Sequence, residues 1–291
     1  MSEHPPILIF AIPFFLLSLF GEVLFVRDRA KARGWAGYEA RDTRTSLAMG
    51  VLSLITGIII IVGDVPISMF AWDHRLFDLG DGWVAWIVAL VAWDFSYYWA
   101  HRSQHRVRLF WANHVQHHSS EHYNLSTALR QPVTNYHEWL FFPTLAVLGV
   151  PPWMIFAAGS INLIYQYWIH TEAIGRLPRP IEYVFNTPSH HRAHHGSNRE
   201  YLDRNYAGIL ILWDRLFRTF EPEREKVVYG LTKNIHTFNV WRVITHEYAA
   251  IIADAKAAPS WRAKLGHVFM PPGWQPAARP SAELVPEVSV S

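Results

Sequence analysis

Apolar residues along this chain are gathered into blocks, and the charges fall in the gaps between them. Residues 7–26 form the first block, about the ~20 residues that carry an α-helix across bilayer hydrocarbon. The block contains Pro13, which membrane helices tolerate, and Glu22 near its inner end. Residues 1–6 lack a basic stretch and no small-residue cleavage site follows, so a retained anchor is expected here, not a cleaved leader. Residues 47–62, running on into 66–72, predict a second span, and 83–100 a third, interrupted by Asp94. Residues 139–150 and 153–169, separated by Pro151 and Pro152, predict a helical hairpin. Its first arm is short for a full crossing, hence tilted or partly re-entrant. The expected fold is therefore all-α and polytopic, with about four to five membrane helices and a cytoplasmic helical cap. Its divisions are an anchor at 1–26, a membrane-embedded unit at 47–220, cap helices at 221–269 with an amphipathic stretch near 241–255, and a disordered tail at 270–291, rich in Pro, Ala and Ser.

The charges in the gaps orient this layout. Arg27, Arg29, Lys31, Arg33, Arg41 and Arg44 fill the first loop, whereas the second holds Asp64, Asp73, Asp78 and Asp81 against Arg75 alone. Lys/Arg-rich loops stay cytoplasmic. The N-terminus is then outside, and the polar stretches beginning at residues 101 and 170 both emerge on the cytoplasmic face.

Composition adds less. Hydrophobic residues at 51%, charged residues at 17% and a mean hydropathy of +0.04 suit a soluble protein equally well, so the blocks decide. The 14 Trp and 12 Tyr suit a bilayer–water interface. A net charge of +2 does not point to a nucleic-acid partner. With no cysteine, disulfides, thiolate metal sites and thiol nucleophiles are excluded, so any metal must be held by imidazole and carboxylate.

Histidine is in excess at seventeen, and twelve of these fall between residues 101 and 195, about a third of the chain. His101 and His105, spaced i, i+4 in HRSQH, share one helix face. His114, His117 and His118 form HVQHH; His191, His194 and His195 form HRAHH. In HxxHH the i, i+3 and i, i+4 pairs aim two or three imidazoles to one side. Eight such nitrogens are too many for one tetrahedral ion and suit two metals with open positions. His170 ends an apolar helix in which Asn162 and Gln166 precede it at four-residue steps, and is a candidate ninth ligand. Asp94, with Tyr97 or Tyr98, lies on the face leading to His101 and is a candidate acceptor for a ligand's second N–H. For Asn162 and Gln166 a hydrogen bond between spans is an equal alternative. His190 adjoins the last cluster out of register and is a candidate supporting residue. His4, His74, His122, His137, His236, His246 and His267 lack such company and are expected to be ordinary histidines. No HExxH is present, which argues against a zincin-type protease.

HRSQH, HVQHHSSEHYNLSTALRQ, YWIHTE, NTPSHHRAHHGSN and NYAGILILWDRLFRTFE together resemble the fatty acid hydroxylase / sterol desaturase superfamily of integral membrane proteins. Residues 117–131 look most like its alkylglycerol monooxygenase branch. The resemblance runs from about residue 93 to 220 and weakly through Tyr229-Gly230-Leu231-Thr232. It implies a non-haem di-iron site that uses O2 to hydroxylate, desaturate or oxidatively cleave a membrane lipid. The eight box histidines would be ligands to two iron ions, and an external donor would supply electrons: tetrahydropterin in the alkylglycerol branch, cytochrome b5 or ferredoxin elsewhere. One departure is Arg106, which stands where the family often has an acidic residue after its first box. Imidazole ligation alone does not select iron over zinc. Two other classes stay open on the residues: a zinc-dependent membrane hydrolase and a metal-binding or metal-transporting membrane protein.

Overall fold

Long apolar runs fold as helices in a bilayer because every backbone N–H and C=O must find its partner within the segment. In the computed structural model, which describes residues 7–276, helices dominate. The only strand-like pairings among the described residues are isolated bridges between Phe185 and Leu210 and between Gly196 and Tyr229. Helices of seven residues or more are labelled in chain order: α1 (Ile7–Arg27), α2 (Ala40–Asp73), α3 (Trp83–Arg106), α4 (Arg108–His118), α5 (Pro152–Trp168), α6 (Pro188–His194), α7 (Val240–Ala257) and α8 (Trp261–Phe269).

Helices α1 and α2 are long and apolar enough to cross a membrane, and only 11% of the apolar stretch in each is buried. A core helix of a soluble protein would be mostly buried. Instead Phe10, Leu17 and Phe20 on α1 and Ile58, Ile59, Val62 and Phe70 on α2 face outward, a surface matched to lipid. The chain is a membrane protein.

At 34 residues, α2 is about 51 Å long, well beyond ~30 Å of hydrocarbon. Its polar N-terminal turns absorb the surplus. The Glu39 side chain accepts from the Asp42 backbone N–H at 2.7 Å, capping the helix. Asp42, Thr45 and Ser46 are buried there. Asp42 accepts from Arg130 at 2.8 Å and from the Ser120 hydroxyl at 2.6 Å, while Thr45 donates to the Phe238 carbonyl at 2.8 Å. One rod thus joins the apolar stretch to the loops that hold Arg130 and Phe238.

The expected hairpin is corrected. Residues 139–150 do not form a helical arm; a 3₁₀ turn at Tyr136–Leu140 is followed by the short helix Pro143–Val147. Five residues rise about 7.5 Å, far short of a crossing. Pro143 opens that helix, and Gly149 closes it with φ 93°. A Cβ at Gly149 would lie 2.4 Å from the Phe77 carbonyl oxygen, so the chain turns back beside the end of α2. The segment packs on α2 and α3, with Phe142 stacked on Trp93 at 4.5 Å. Only the return arm, α5, is a long helix, and it lies against α1 and α3.

Towards the C-terminus, α7 and α8 pack on α4, fastened by Arg108 to Glu247 and Asp254, each at 2.7 Å. Residues 270–276, expected as the start of a disordered tail, are docked instead. The Met270 carbonyl accepts from the Arg108 N–H at 3.1 Å, and the Trp274 ring lies 5.4 Å from that of His267. Residues 277–291 of that expectation lie outside the described residues.

The Arg130–Asp42 pair is almost fully buried, at 1% and 4% side-chain exposure. Removing one partner strands the other charge, so Asp42→Ala should destabilise the fold by about 3–5 kcal/mol. A thermal midpoint within a degree of the parent would contradict this.

Candidate metal centre

Four segments deliver the histidines. His101 and His105 occupy the last turns of α3, and His114, His117 and His118 the last turns of α4. Between these helices only Val107 leaves helical geometry, at φ −120° and ψ 115°. This single extended residue turns the chain so sharply that the His101 and His114 Nε2 atoms come within 2.9 Å. His170 follows the last turn of α5. Pro188, whose missing N–H would be unpaired there anyway, opens α6, which presents His191, His194 and, at its end, His195.

All nine side chains are buried and fall into two groups. His101, His105, His114, His118 and His194 form one; His117, His170, His191 and His195 form the other. Within each group one ring nitrogen per residue lies within 4.8 Å of all the others. The division cuts across both HxxHH clusters, because His117 leaves its neighbours for the second group and His194 leaves its own for the first. The groups touch where the His118 and His195 rings stack at 4.4 Å.

Backbone carbonyls fix the rings. Nδ1 of His101 donates to the Tyr206 carbonyl at 2.8 Å, His117 to Arg130 at 3.1 Å, His170 to Gln166 at 2.7 Å and His194 to Arg204 at 2.8 Å. A carbonyl only accepts, so each of these Nδ1 atoms carries a proton. Burial holds the rings neutral: it pushes His117 down to about 4 and His194 to about 3, against 6.5 for a free imidazole. It also drives the other seven well below that value, with repulsion from neighbouring imidazoles adding to it. In a neutral ring with Nδ1 protonated, Nε2 is a bare lone pair. The His117 and His170 Nε2 atoms nevertheless face one another at 3.2 Å with no proton available between them. Nε2 of His194 is likewise buried with no donor, as are those of His105 and His195. A cation in each group would satisfy the lone pairs directed into it. The donors are imidazoles without thiolate or carboxylate, a set that suits iron, zinc, copper or nickel.

The expected supporting residues act one step further out. Asp94 reaches no imidazole, correcting the expectation that it accepts from one. It lies seven residues before His101, about 10 Å along the helix. Its carboxylate is filled by Asn162 at 2.7 Å, the N–H groups of Ile209 and Leu210 at 2.7 and 3.0 Å, and Trp213 Nε1 at 2.9 Å. Asn162 in turn accepts from Gln166 at 2.6 Å, and Gln166 from the Tyr97 hydroxyl at 2.7 Å. These residues lock α3, α5 and residues 208–213 together. His190 turns away from the cluster to Glu182, 3.0 Å from its Nε2, because adjacent helical residues point about 100° apart. His74, His122, His137, His236, His246 and His267 are in neither group; His4 lies outside the described residues.

Residues not singled out in the sequence complete the frame. Asp214, buried, accepts from the N–H groups of Tyr206 and Ala207 at 2.9 and 2.8 Å and from Thr219 at 2.6 Å, which sets the Tyr206 carbonyl against His101. Burial raises its carboxyl to about 6 despite these bonds. Arg106 pairs at 2.9 Å with Asp203, whose carboxylate stands 3.8 Å from His105 Nδ1. An acid from a distant segment therefore stands near the first box, where Arg106 itself supplies none. Only its aspartate in a stretch already distinguished by resemblance could have suggested Asp214; the carbonyls that accept from the histidines carry no residue signature.

Residues 86–219 match the family model for fatty acid hydroxylase. The chain carries a fatty acid hydroxylase domain. All nine clustered histidines fall within this domain. Over 296 residues the chain is 43% identical to an alkylglycerol monooxygenase of Homo sapiens, covering 99% of this chain and 65% of that protein. The alkylglycerol monooxygenase of Danio rerio is 39% identical over 284 residues, 95% of this chain and 61% of that one. An ornithine lipid hydroxylase of Rhizobium tropici is 28% identical over 161 residues, 51% of this chain and 46% of that one. The chain spans about half to two thirds of the length of the alkylglycerol monooxygenases it matches. No solved structure matches it.

The depressed histidines of the fatty acid hydroxylase domain set a pH response in metal-free protein. Above pH 6.5 these rings are neutral in both folded and unfolded chains, so their contribution to stability is intact. Below it the unfolded chain takes up protons that the folded one refuses, down to about pH 4 at His117 and about 3 at His194. The thermal midpoint of chelator-treated protein should fall steadily as pH drops from 6.5 towards 4. A flat profile across that range would contradict neutral burial.

Proposed function

We propose that this chain is a multi-pass, membrane-bound di-iron oxygenase that hydroxylates a C–H bond of a membrane lipid, in the manner that the name alkylglycerol monooxygenase describes for its relatives. The observation that carries the reading is the convergence of nine neutral imidazoles into two touching groups, one for each ion. In it His101, His105, His114, His118 and His194 hold one iron, and His117, His170, His191 and His195 the other. Bound iron would supply the redox chemistry that activates O2, which zinc cannot, being redox-inert. An unactivated C–H bond offers acid–base groups no handle, so an oxidant is needed. The balance is R–H + O2 + 2 e⁻ + 2 H⁺ giving R–OH + H2O, with the electrons from an external donor: tetrahydropterin, cytochrome b5 or ferredoxin.

The chain's own residues have three jobs. Carbonyls of Tyr206, Arg130, Gln166 and Arg204 hold ring protons on Nδ1, keeping Nε2 free to ligate. Asp94 and Asp214 hold the segment that supplies one of those carbonyls. The burial that keeps the imidazoles neutral also excludes water, limiting loss of oxidising equivalents to solvent.

In this reading residues 47–220 are the catalytic unit and 221–269 the cap. The arginine-rich first loop and the histidine boxes face the cytoplasm, and the N-terminus lies outside. A zinc hydrolase is less well supported, since neither histidine group includes the carboxylate it would need as a base. A transporter would need ligands strung along the spans, whereas these cluster at helix ends.

Metal analysis and turnover test the proposal together. Purified protein should hold two irons per chain. His117→Ala and His194→Ala should each lower bound iron, and both should abolish incorporation of labelled oxygen from O2 into lipid. Full activity in either variant, or one zinc per chain with no iron, would sink it.

A further inference from the structure

On the side of the first histidine group, the chain forms a depression of about 310 Å³ walled by Arg102, Arg106, Asp203 and Arg204 and floored by Tyr206 and Thr219. We propose that it binds the phosphate or carboxylate group of a small anionic molecule.

Charge is the first argument. Arg102 and Arg106 each follow a clustered histidine on α3, and the helical step turns their side chains away from the metal centre. Of the three guanidiniums, only that of Arg106 has a carboxylate partner among the described residues, Asp203 at 2.9 Å. Arg102 donates to the Tyr98 hydroxyl at 3.2 Å and lies over the Trp99 ring at 5.3 Å. Arg204 donates to the Arg218 carbonyl at 3.3 Å. Three cations against one anion leave an excess of two positive charges around a hollow of ligand size. Guanidinium forks match phosphate and carboxylate oxygens in pairs.

Shape is the second. Asp203, Asn205 and Arg218 adopt left-handed φ values of 59°, 57° and 60°. Three of the four non-glycine residues so placed among the described residues thus sit in the two loops that form this rim. Such conformations persist where surrounding bonds enforce them. Here the Asn205 N–H donates to the Thr219 carbonyl at 3.1 Å, and the Asn205 side chain donates to the carbonyls of His190 and Glu221. The pocket is a built feature of the fold.

Position is the third. The Tyr206 ring, buried beneath the hollow, lies 5.2 Å from His105 and 5.9 Å from His101. A molecule held by the arginines would sit one side-chain layer from the first histidine group. The wall is mainly polar, with Leu202 its one aliphatic residue, and does not suit an alkyl chain, so the bound part is the charged end of a lipid headgroup or of a soluble molecule. What the molecule does there rests on the metal-centre reading; whether it binds does not.

The test uses the full chain in non-ionic detergent, titrated calorimetrically with inorganic phosphate and with dihexanoyl phosphatidic acid, with metal content measured throughout. Saturable phosphate binding is expected, weakened about tenfold or more in Arg102→Gln/Arg204→Gln and retained in the double lysine variant. The single variant Arg102→Gln serves if the double one does not fold. Tighter binding of the phosphatidic acid identifies a headgroup site, and equal binding a site for soluble anions. No saturable binding to the parent protein, or undiminished binding in the glutamine variants, overturns the proposal. Binding that survives in those variants but vanishes on chelation places phosphate on the metal and overturns it equally.

Discussion

The structure turns on nine neutral imidazoles aimed at one another in a buried space. Lone pairs facing at about 3 Å repel, and each buried acceptor without a donor forgoes solvation worth roughly 1–3 kcal/mol. His117 and His170 state the problem most sharply, since both have their only proton committed to a carbonyl on the far side of the ring. Without a cation between them, these rings work against the surrounding fold. Its stability therefore has to come from elsewhere, and the rest of the chain is arranged accordingly.

Three devices supply it. Helix α2 continues out of its apolar stretch and ends in the buried Asp42–Arg130 pair, and the Arg130 carbonyl holds His117. Asp94 and Asp214 each gather several donors from residues 206–219, so that an irregular segment is as well fixed as a helix. Helices α7 and α8 close over α4 through Arg108. Each device ends on a segment that carries or orients a histidine.

Much of this was legible in the sequence, and the limit has a physical form. The i, i+3 and i, i+4 spacings of HRSQH, HVQHH and HRAHH follow from helical geometry, and all eight rings meet with His170. The partition into two groups was not legible, because it depends on the one-residue break at Val107 and on how α6 docks. Asp94 stands out in the sequence as an acid inside an apolar block, but it accepts from no imidazole; two of its partners are backbone N–H groups 115 and 116 residues away, which no spacing rule reveals. The acceptors for the histidine N–H groups are carbonyls, which every residue has. Residues 139–150 suggested a tilted or partly re-entrant helical arm, and hydropathy alone does not reveal that the chain breaks there into a 3₁₀ turn and a five-residue helix. Pro143, Gly149 and Pro151, which stop helices, were the better guide.

The segment from Asp203 to Tyr206 joins two kinds of chemistry in four residues. Its carbonyls at Arg204 and Tyr206 point inward to His194 and His101, while the side chains of Asp203 and Arg204 wall a charged hollow outside. The Asp203 and Arg204 side chains thus stand on the same backbone whose carbonyls orient two imidazoles. The interior of a helix could not do this, because its carbonyls are consumed by its own ladder; only last-turn carbonyls such as that of Gln166 stay free. An extended, left-handed-studded loop leaves them free, which is why the irregular part of this fold carries the orientation of its most regular part.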